Sequence, residues 1–266
     1  MKRFFLVFLC SMFLVSNVAF AATQPSRSQQ LIDQINSVLH TYSDIRIGVS
    51  LIELPQNTVT TFGYTSTFEG ASTTKVLTAL DYLHEVELGH FSLSQIIQKQ
   101  TALWQLQQMI NLSNNDSWAA LNNTLGWNRI IDYAKAIGLT SYNCNNNLIS
   151  AYDDSKMLEK LYEGALVNSS HTKLLLSWMQ HTNDESLIPA ALPLGTVFYH
   201  KYGWLNDAAG NFLHDSAIIV TKKQSFVLSI YTNRLSGASY LRQSNAIHSI
   251  TRIIYAAESS LYDNQK

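Results

Sequence analysis

From Val76 to Leu83 the chain reads Val-Leu-Thr-Ala-Leu-Asp-Tyr-Leu, a helix-forming run that is apolar nearly all round its circumference. Such a helix has almost no face to offer water, so the fold has to wrap it on every side. Gly89, just beyond the run, suits a C-terminal cap. Directly before it stands Gly70-Ala71-Ser72-Thr73-Thr74-Lys75. Ser72 and Lys75 are three apart and so share one helix face, about one turn from each other. A serine hydroxyl is a weak nucleophile until a neighbour takes its proton. A lysine can do that when desolvation or a second cation depresses its pKa. At the amino end of a buried helix, Ser72 also meets free backbone N–H groups and the positive end of the helix dipole. Ser-x-x-Lys alone is weak evidence, because a chain of 266 residues produces that spacing by chance.

Wrapping a helix on all sides needs apolar material, and 46% of the residues are hydrophobic against 14% charged. That is enough for one large domain or two small ones. Lys2-Arg3, the apolar stretch Phe4 to Val15 and the small-x-small site Ala19-Phe20-Ala21 read as a signal peptide over 1–21. The domain proper is then 22–266, and the chain is expected to be exported, periplasmic or secreted. An uncleaved anchor is the alternative, although the apolar stretch is short for a membrane span. Without Lys2 and Arg3, 16 of the 18 basic residues remain against 19 acidic ones, a net charge of about −3. No basic patch points to nucleic acid, and no polybasic run points to a membrane surface. The mature chain keeps one cysteine, Cys144, so no internal disulfide forms and stability rests on the core.

Ser26 suits an N-cap for a first helix ending near Tyr42. Two strands follow, Arg46 to Leu54 and Thr58 to Gly63, around the turn Pro55-Gln56-Asn57. From Phe91 to Leu192 the pattern is mostly helical, with helices predicted over 94–99, 103–112, 116–125, 127–137, 153–165 and 171–181. Asn143 to Asn147, which contains Cys144, is a polar tract that belongs on the surface. Strands return at Val197 to Tyr202, Asp215 to Thr221 and Phe226 to Thr232, and a last helix runs from Tyr240 to about Leu261. The order predicts an α/β (α+β) fold. One antiparallel sheet is built from both ends of the chain and flanked by helices, with an inserted all-α subdomain over about 91–192.

Two more groups fall where they suit Ser72. Ser113-Asn114-Asn115 lies between two helical runs, where Ser and Asn also serve as ordinary N-caps. Lys201-Tyr202-Gly203 closes a predicted strand. A glycine there admits a ligand or a second backbone, while a lysine there is also a common guard of a sheet edge. Taken in chain order, Ser-x-x-Lys, Ser-x-Asn and Lys-x-Gly form the signature of class A β-lactamases and penicillin-binding proteins. Phe68 to Leu77, Met109 to Gly126, and Lys201-Tyr202-Gly203 with His214 to Val220 resemble that superfamily's corresponding segments, and the resemblance spans roughly 27 to 260.

The resemblance implies a β-lactamase/transpeptidase-like fold and an acyl-enzyme on Ser72, with Lys75 as its proton partner and Ser113 relaying a proton to the leaving nitrogen. It further implies that Asn115 binds the substrate's side-chain amide and Lys201 its carboxylate. The backbone N–H groups of Ser72 and Trp204 would form the oxyanion hole beside Gly203. The substrate would be a β-lactam, or, for a D-alanyl-D-alanine peptidase or another amidase, a cell-wall peptide. A binding domain without catalysis on the same fold is the reading from another class. No cofactor, metal or nucleic acid is expected, and the mature protein is expected to be monomeric with no stable membrane insertion.

Three departures from class A stand out. Asn114 replaces an Asp, and Tyr202 replaces a Thr or Ser whose hydroxyl contacts the substrate carboxylate. The third is a gap: Leu139 to Tyr152, where class A carries the loop with its deacylating glutamate, contains no Glu or Asp. Asp153 and Asp154, the nearest carboxylates, fit helix capping. Other chemistries fare poorly. His84-Glu85 is followed by Leu88 where a zinc helix needs His, and neither a Gly-x-Ser-x-Gly elbow nor a phosphate loop occurs. His171, His181, His200 and His214 read as structural, with His214 beside the site's sheet. Trp104, Trp118, Trp127 and Trp178 read as core, and Trp204 as a wall of the substrate gorge.

Overall fold

The computed structural model describes residues 27–260 apart from 208–209 and 235–238, so the expected signal peptide and the Ser26 cap lie outside the described residues. The chain opens with α1 (Arg27–Thr41), β1 (Ile45–Glu53), β2 (Thr58–Gly63), β3 (Phe68–Glu69) and α2 (Lys75–Glu87). Next come β4 (Ile96–Ile97), β5 (Gln100–Thr101), α3 (Ala102–Asn111), α4 (Asn115–Leu125) and α5 (Trp127–Ala136). A single 3-10 turn at Cys144–Asn146 leads to β6 (Leu148–Ile149), α6 (Ala151–Tyr162), α7 (Ser169–Met179) and α8 (Ile188–Ala191). The chain closes with β7 (Val197–Asp207), β8 (Gly210–Val220), β9 (Ser225–Arg234) and α9 (Tyr240–Ser259).

The five long strands form one antiparallel sheet in the order β2-β1-β9-β8-β7. Its two halves are joined by β1 pairing with β9, from Ile45 opposite Arg234 to Glu53 opposite Phe226. Both faces of β1 are buried, although its sequence alternates, because helices cover the sheet on each side. On one side Val49 and Leu51 pack with Ile35 of α1 and with Ile247, Ile250 and Ile254 of α9. On the other, Ile52, Ile218, Val227 and Tyr231 share a continuous core with α2 to α7. There α2 is enclosed all round, every residue from Lys75 to Leu83 being buried.

Two expectations about the fold fail, the first for a local reason. The helix predicted over 94–99 is instead the β4–β5 hairpin. Gln98 and Lys99 at its turn hold φ of 46° and 73°, the paired left-handed values that a tight hairpin requires. Ile97 is buried while Ile96 is 65% exposed, the alternation of a strand rather than a helix stripe. Trp104 and Trp127, expected in the core, are about two-fifths exposed on the outer surface of the helical block, whereas Trp178 is buried. Two elements carry no sequence signal: the short α8, and the two-stranded β3–β6 sheet, which pairs Phe68 with Ile149 and Glu69 with Leu148.

Candidate active site

Helix α2 begins at Lys75, so Ser72 sits in the tight turn leading into it. Backbone bonds from Thr73 N to Gly70 O (3.1 Å), Lys75 N to Ser72 O (3.4 Å) and Val76 N to Thr73 O (3.2 Å) wind that turn in 3-10 fashion. Ser72 is partly exposed, and Lys75 is buried. The Lys75 Nζ donates to the Ser113 carbonyl at 2.7 Å and to Asn115 Oδ1 at 2.6 Å, and lies 3.4 Å from Ser113 Oγ. Lys201, buried on β7, reaches the same hydroxyl from the opposite side at 3.0 Å. Ser113 therefore lies between two amines contributed by distant parts of the chain.

Burial lowers the Lys75 pKa to about 8 and that of Lys201 to about 7, the latter helped by the nearby Lys75 charge. Every hydrogen bond that these amines make goes to a neutral acceptor. A neutral Lys75 donates its two protons to its two short acceptors, which leaves its lone pair free to take a proton from a hydroxyl. A charged Lys201 would instead attract an anion.

The loop carrying Ser113 is shaped for this. Asn114 caps α4, its side chain accepting from Ser117 N at 2.8 Å, so the capping role falls on Asn114 and leaves the Ser113 hydroxyl to the amines. Ser113 itself adopts φ of 55°, rare for a residue with a side chain. On the far wall β7 is the edge strand, and Gly203 lies against the nucleophile turn. A Cβ at Gly203 would stand 2.9 Å from Ser72 N, so only glycine lets the strand approach. Tyr202 turns its hydroxyl to Asn183 Oδ1 at 3.1 Å, and its ring lies 4.3 Å from the Lys201 amine. Trp204 is 54% exposed.

Asp153 and Asp154 are not caps. Ser150 caps α6, while Asp153 accepts from Ser141 N at 2.6 Å. Asp154 is buried under the sheet with Ser229 Oγ at 3.5 Å, and burial raises its pKa to about 6. His214 receives Thr232 N–H on Nδ1 at 3.0 Å, so its proton sits on Nε2 and is donated to Glu69 O at 2.7 Å. Burial holds the imidazole neutral, its pKa lowered to about 4. Sequence reasoning gave no role to Glu69 or Asn147, which meet beneath the nucleophile turn at 2.7 Å.

The model of the Beta-lactamase enzyme family matches residues 30–257. The chain belongs to that family. Membership places it among β-lactamase-like serine hydrolases acting on amide bonds. PBP-A, solved as its L158E mutant in an acyl-enzyme complex with penicillin G, superposes at a TM-score of 0.78 and 22% identity, covering 86% of this chain and 96% of that one. A β-lactamase from Xanthomonas campestris gives 0.79 at 16% identity over 87% and 98%. An ancestral class A β-lactamase gives 0.78 at 18% over 86% and 100%. At these identities the likeness establishes the shared β-lactamase fold. No curated protein sequence matches the chain.

Proposed function

We propose that this β-lactamase family member is an exported, monomeric serine hydrolase that forms an acyl-enzyme on Ser72 with β-lactams or related cell-wall amides. The observation that carries this reading is the pair of buried, pKa-depressed lysines on Ser113, with Gly203, two residues after Lys201, packed against the turn that carries Ser72. In this reading neutral Lys75 takes the Ser72 proton as Oγ bonds to the substrate carbonyl carbon. The C–N bond then breaks, and Ser113 passes the proton to the leaving nitrogen. The N–H groups of Ser72 and Trp204 stabilise the oxyanion. Lys201 holds the substrate carboxylate beside Tyr202, and Asn115, whose Oδ1 accepts from Lys75, binds the side-chain amide.

Release of the acyl group should be slow with penicillins. The connection from Leu139 to Tyr152 holds no carboxylate, and its turn closes directly onto Gly70 through Asn147 O at 2.7 Å. General-base help in such a step is worth about 10²–10⁴-fold. A fluorescent penicillin should label the wild type and not Ser72→Ala. Intact mass spectrometry after one dose should show the adduct persisting for minutes. Absence of labelling would overturn the hydrolase reading in favour of a binding domain, whereas rapid release with excess hydrolysed drug would show that another group activates water.

A further inference from the structure

Beneath the nucleophile turn lies a polar arrangement that the mechanism above does not use. Ala71, immediately before Ser72, holds φ of 49°, a left-handed value that costs an L-residue about 1–2 kcal/mol. Both of its backbone polar groups are held by side chains. Its N–H donates to Glu69 Oε2 at 3.1 Å, and its carbonyl accepts from Asn147 Nδ2 at 2.9 Å and, over a longer 3.2 Å, from Thr74 Oγ1. The same Asn147 amide gives its other proton to Glu69 Oε1 at 2.7 Å and accepts from Thr74 Oγ1 at 2.7 Å. Asn147 thus directs both amide protons and one acceptor site of its side chain at residues 69 to 74.

The consequence follows from the planarity of the peptide bond. The Ala71 carbonyl and the Ser72 N–H belong to one trans peptide and point in opposite directions, so fixing one fixes the other. Asn147 pulls on the carbonyl from below, and the Ser72 N–H is thereby aimed upward, beside Gly203, which allows the approach. We propose that Asn147 and Glu69 are positioning residues that hold the left-handed Ala71 and so orient the Ser72 N–H as an oxyanion donor. The inference rests on Ser72 being the acyl acceptor. It gives the short 139–152 connection a purpose of its own, bracing the nucleophile turn rather than delivering a base.

Asn147 is itself left-handed, at φ 49°, so Asn147→Gly removes the amide while preserving the backbone conformation. Glu69→Gln keeps an acceptor for Ala71 N–H but turns an amide against the Asn147 amide. The test measures labelling rates over a series of concentrations of fluorescent penicillin, which separates the saturating acylation rate from the half-saturating concentration. Wild type, both variants, Ser72→Ala, and Asn146→Gly as a control in the same turn are compared, each with a thermal melt. Loss of one complete oxyanion donor costs about 10²–10³-fold, so a misaimed donor in Asn147→Gly should slow the saturating rate about tenfold or more. Half-saturation should shift by no more than about twofold, since the donor acts in the transition state. Glu69→Gln should show a smaller loss of the same kind, and Asn146→Gly none. Wild-type rates in both folded variants, or a loss confined to half-saturation, would overturn the proposal. If Asn147→Gly did not fold, an unaltered rate in Glu69→Gln would overturn it. An unlabelled wild type would instead refute the hydrolase reading, and this inference with it.

Discussion

At the scale of single residues, the site turns on two amines titrating close together. Lys75 is useful as a base only when neutral, which its pKa of about 8 permits as pH rises through that value. Lys201 attracts a carboxylate only when charged, and its pKa of about 7 removes that charge over a neighbouring range. Acylation at low substrate concentration should therefore follow a bell with its optimum near neutral to mildly alkaline pH, reporting the free enzyme. Lys201→Arg stays charged throughout, and its alkaline limb should flatten when labelling is followed from pH 6 to 10. Lys201→Ala should acylate about ten- to a hundredfold more slowly with carboxylate-bearing substrates, from losing a charge-assisted contact worth about 1.5–3 kcal/mol. Equal rates for Lys201→Ala and wild type would show that the Lys-Tyr-Gly match carries no chemistry.

At the scale of elements, α2 and β7 each carry one further test. Asp81 lies in α2 with both carboxylate oxygens buried and without a hydrogen-bond partner. Burial raises its pKa to about 7, with the Glu85 charge adding to that and Arg129 opposing it. The folded state thus holds a proton that the unfolded chain gives up near pH 4. Its contribution to stability is complete below that point and lost as pH rises through about 7. Asp81→Asn should remove this loss, raising the melting temperature at pH 8 more than at pH 5. Each kcal/mol recovered is worth about 2–4 °C in a protein of this size. An equal effect at both pH values would mean that Asp81 ionises freely in the fold. On β7, Gly203→Ala sets a Cβ 2.9 Å from Ser72 N. Labelling should fall about a hundredfold, with the melting temperature changed by only a few degrees, because an edge strand can shift outward. Normal labelling would place the oxyanion site elsewhere.

At the scale of the whole molecule, the helical block from 91 to 192 does not own a separate core. Most of its buried apolar residues form one cluster with Ile52 of β1, Ile218 of β8, and Val227 and Tyr231 of β9, while Leu187 and Ile188 join the core on the other face of the sheet. The sheet in turn needs both ends of the chain, since β1 is closed by β9. Heating should therefore give a single calorimetric transition whose van't Hoff and calorimetric enthalpies agree. Two separated transitions, one assigned to 91–192, would show that the block folds independently.

Local signals were enough for much of this. The all-round apolar run after Lys75 required an enclosed helix, and short strand-forming runs bounded by turn residues marked all five long strands. Ser72, Lys75, Ser113 and Lys201 could be named because three short motifs in chain order resemble those of class A β-lactamases, each motif being a local stretch of sequence. The 94–99 hairpin was not legible, because two left-handed residues that are not glycine leave no compositional mark. Nor was the work of Glu69 and Asn147. They lie 78 positions apart, and an asparagine in a polar tract looks like any surface turn until folding brings it under Ala71. The depressed amines belong to the same class, for a lysine's pKa is set by what surrounds it and not by its neighbours in the chain. Sequence determined the long elements and the chemical groups available. Tertiary packing alone decided which groups lost water, which met across the sheet, and which peptide N–H was turned toward the site.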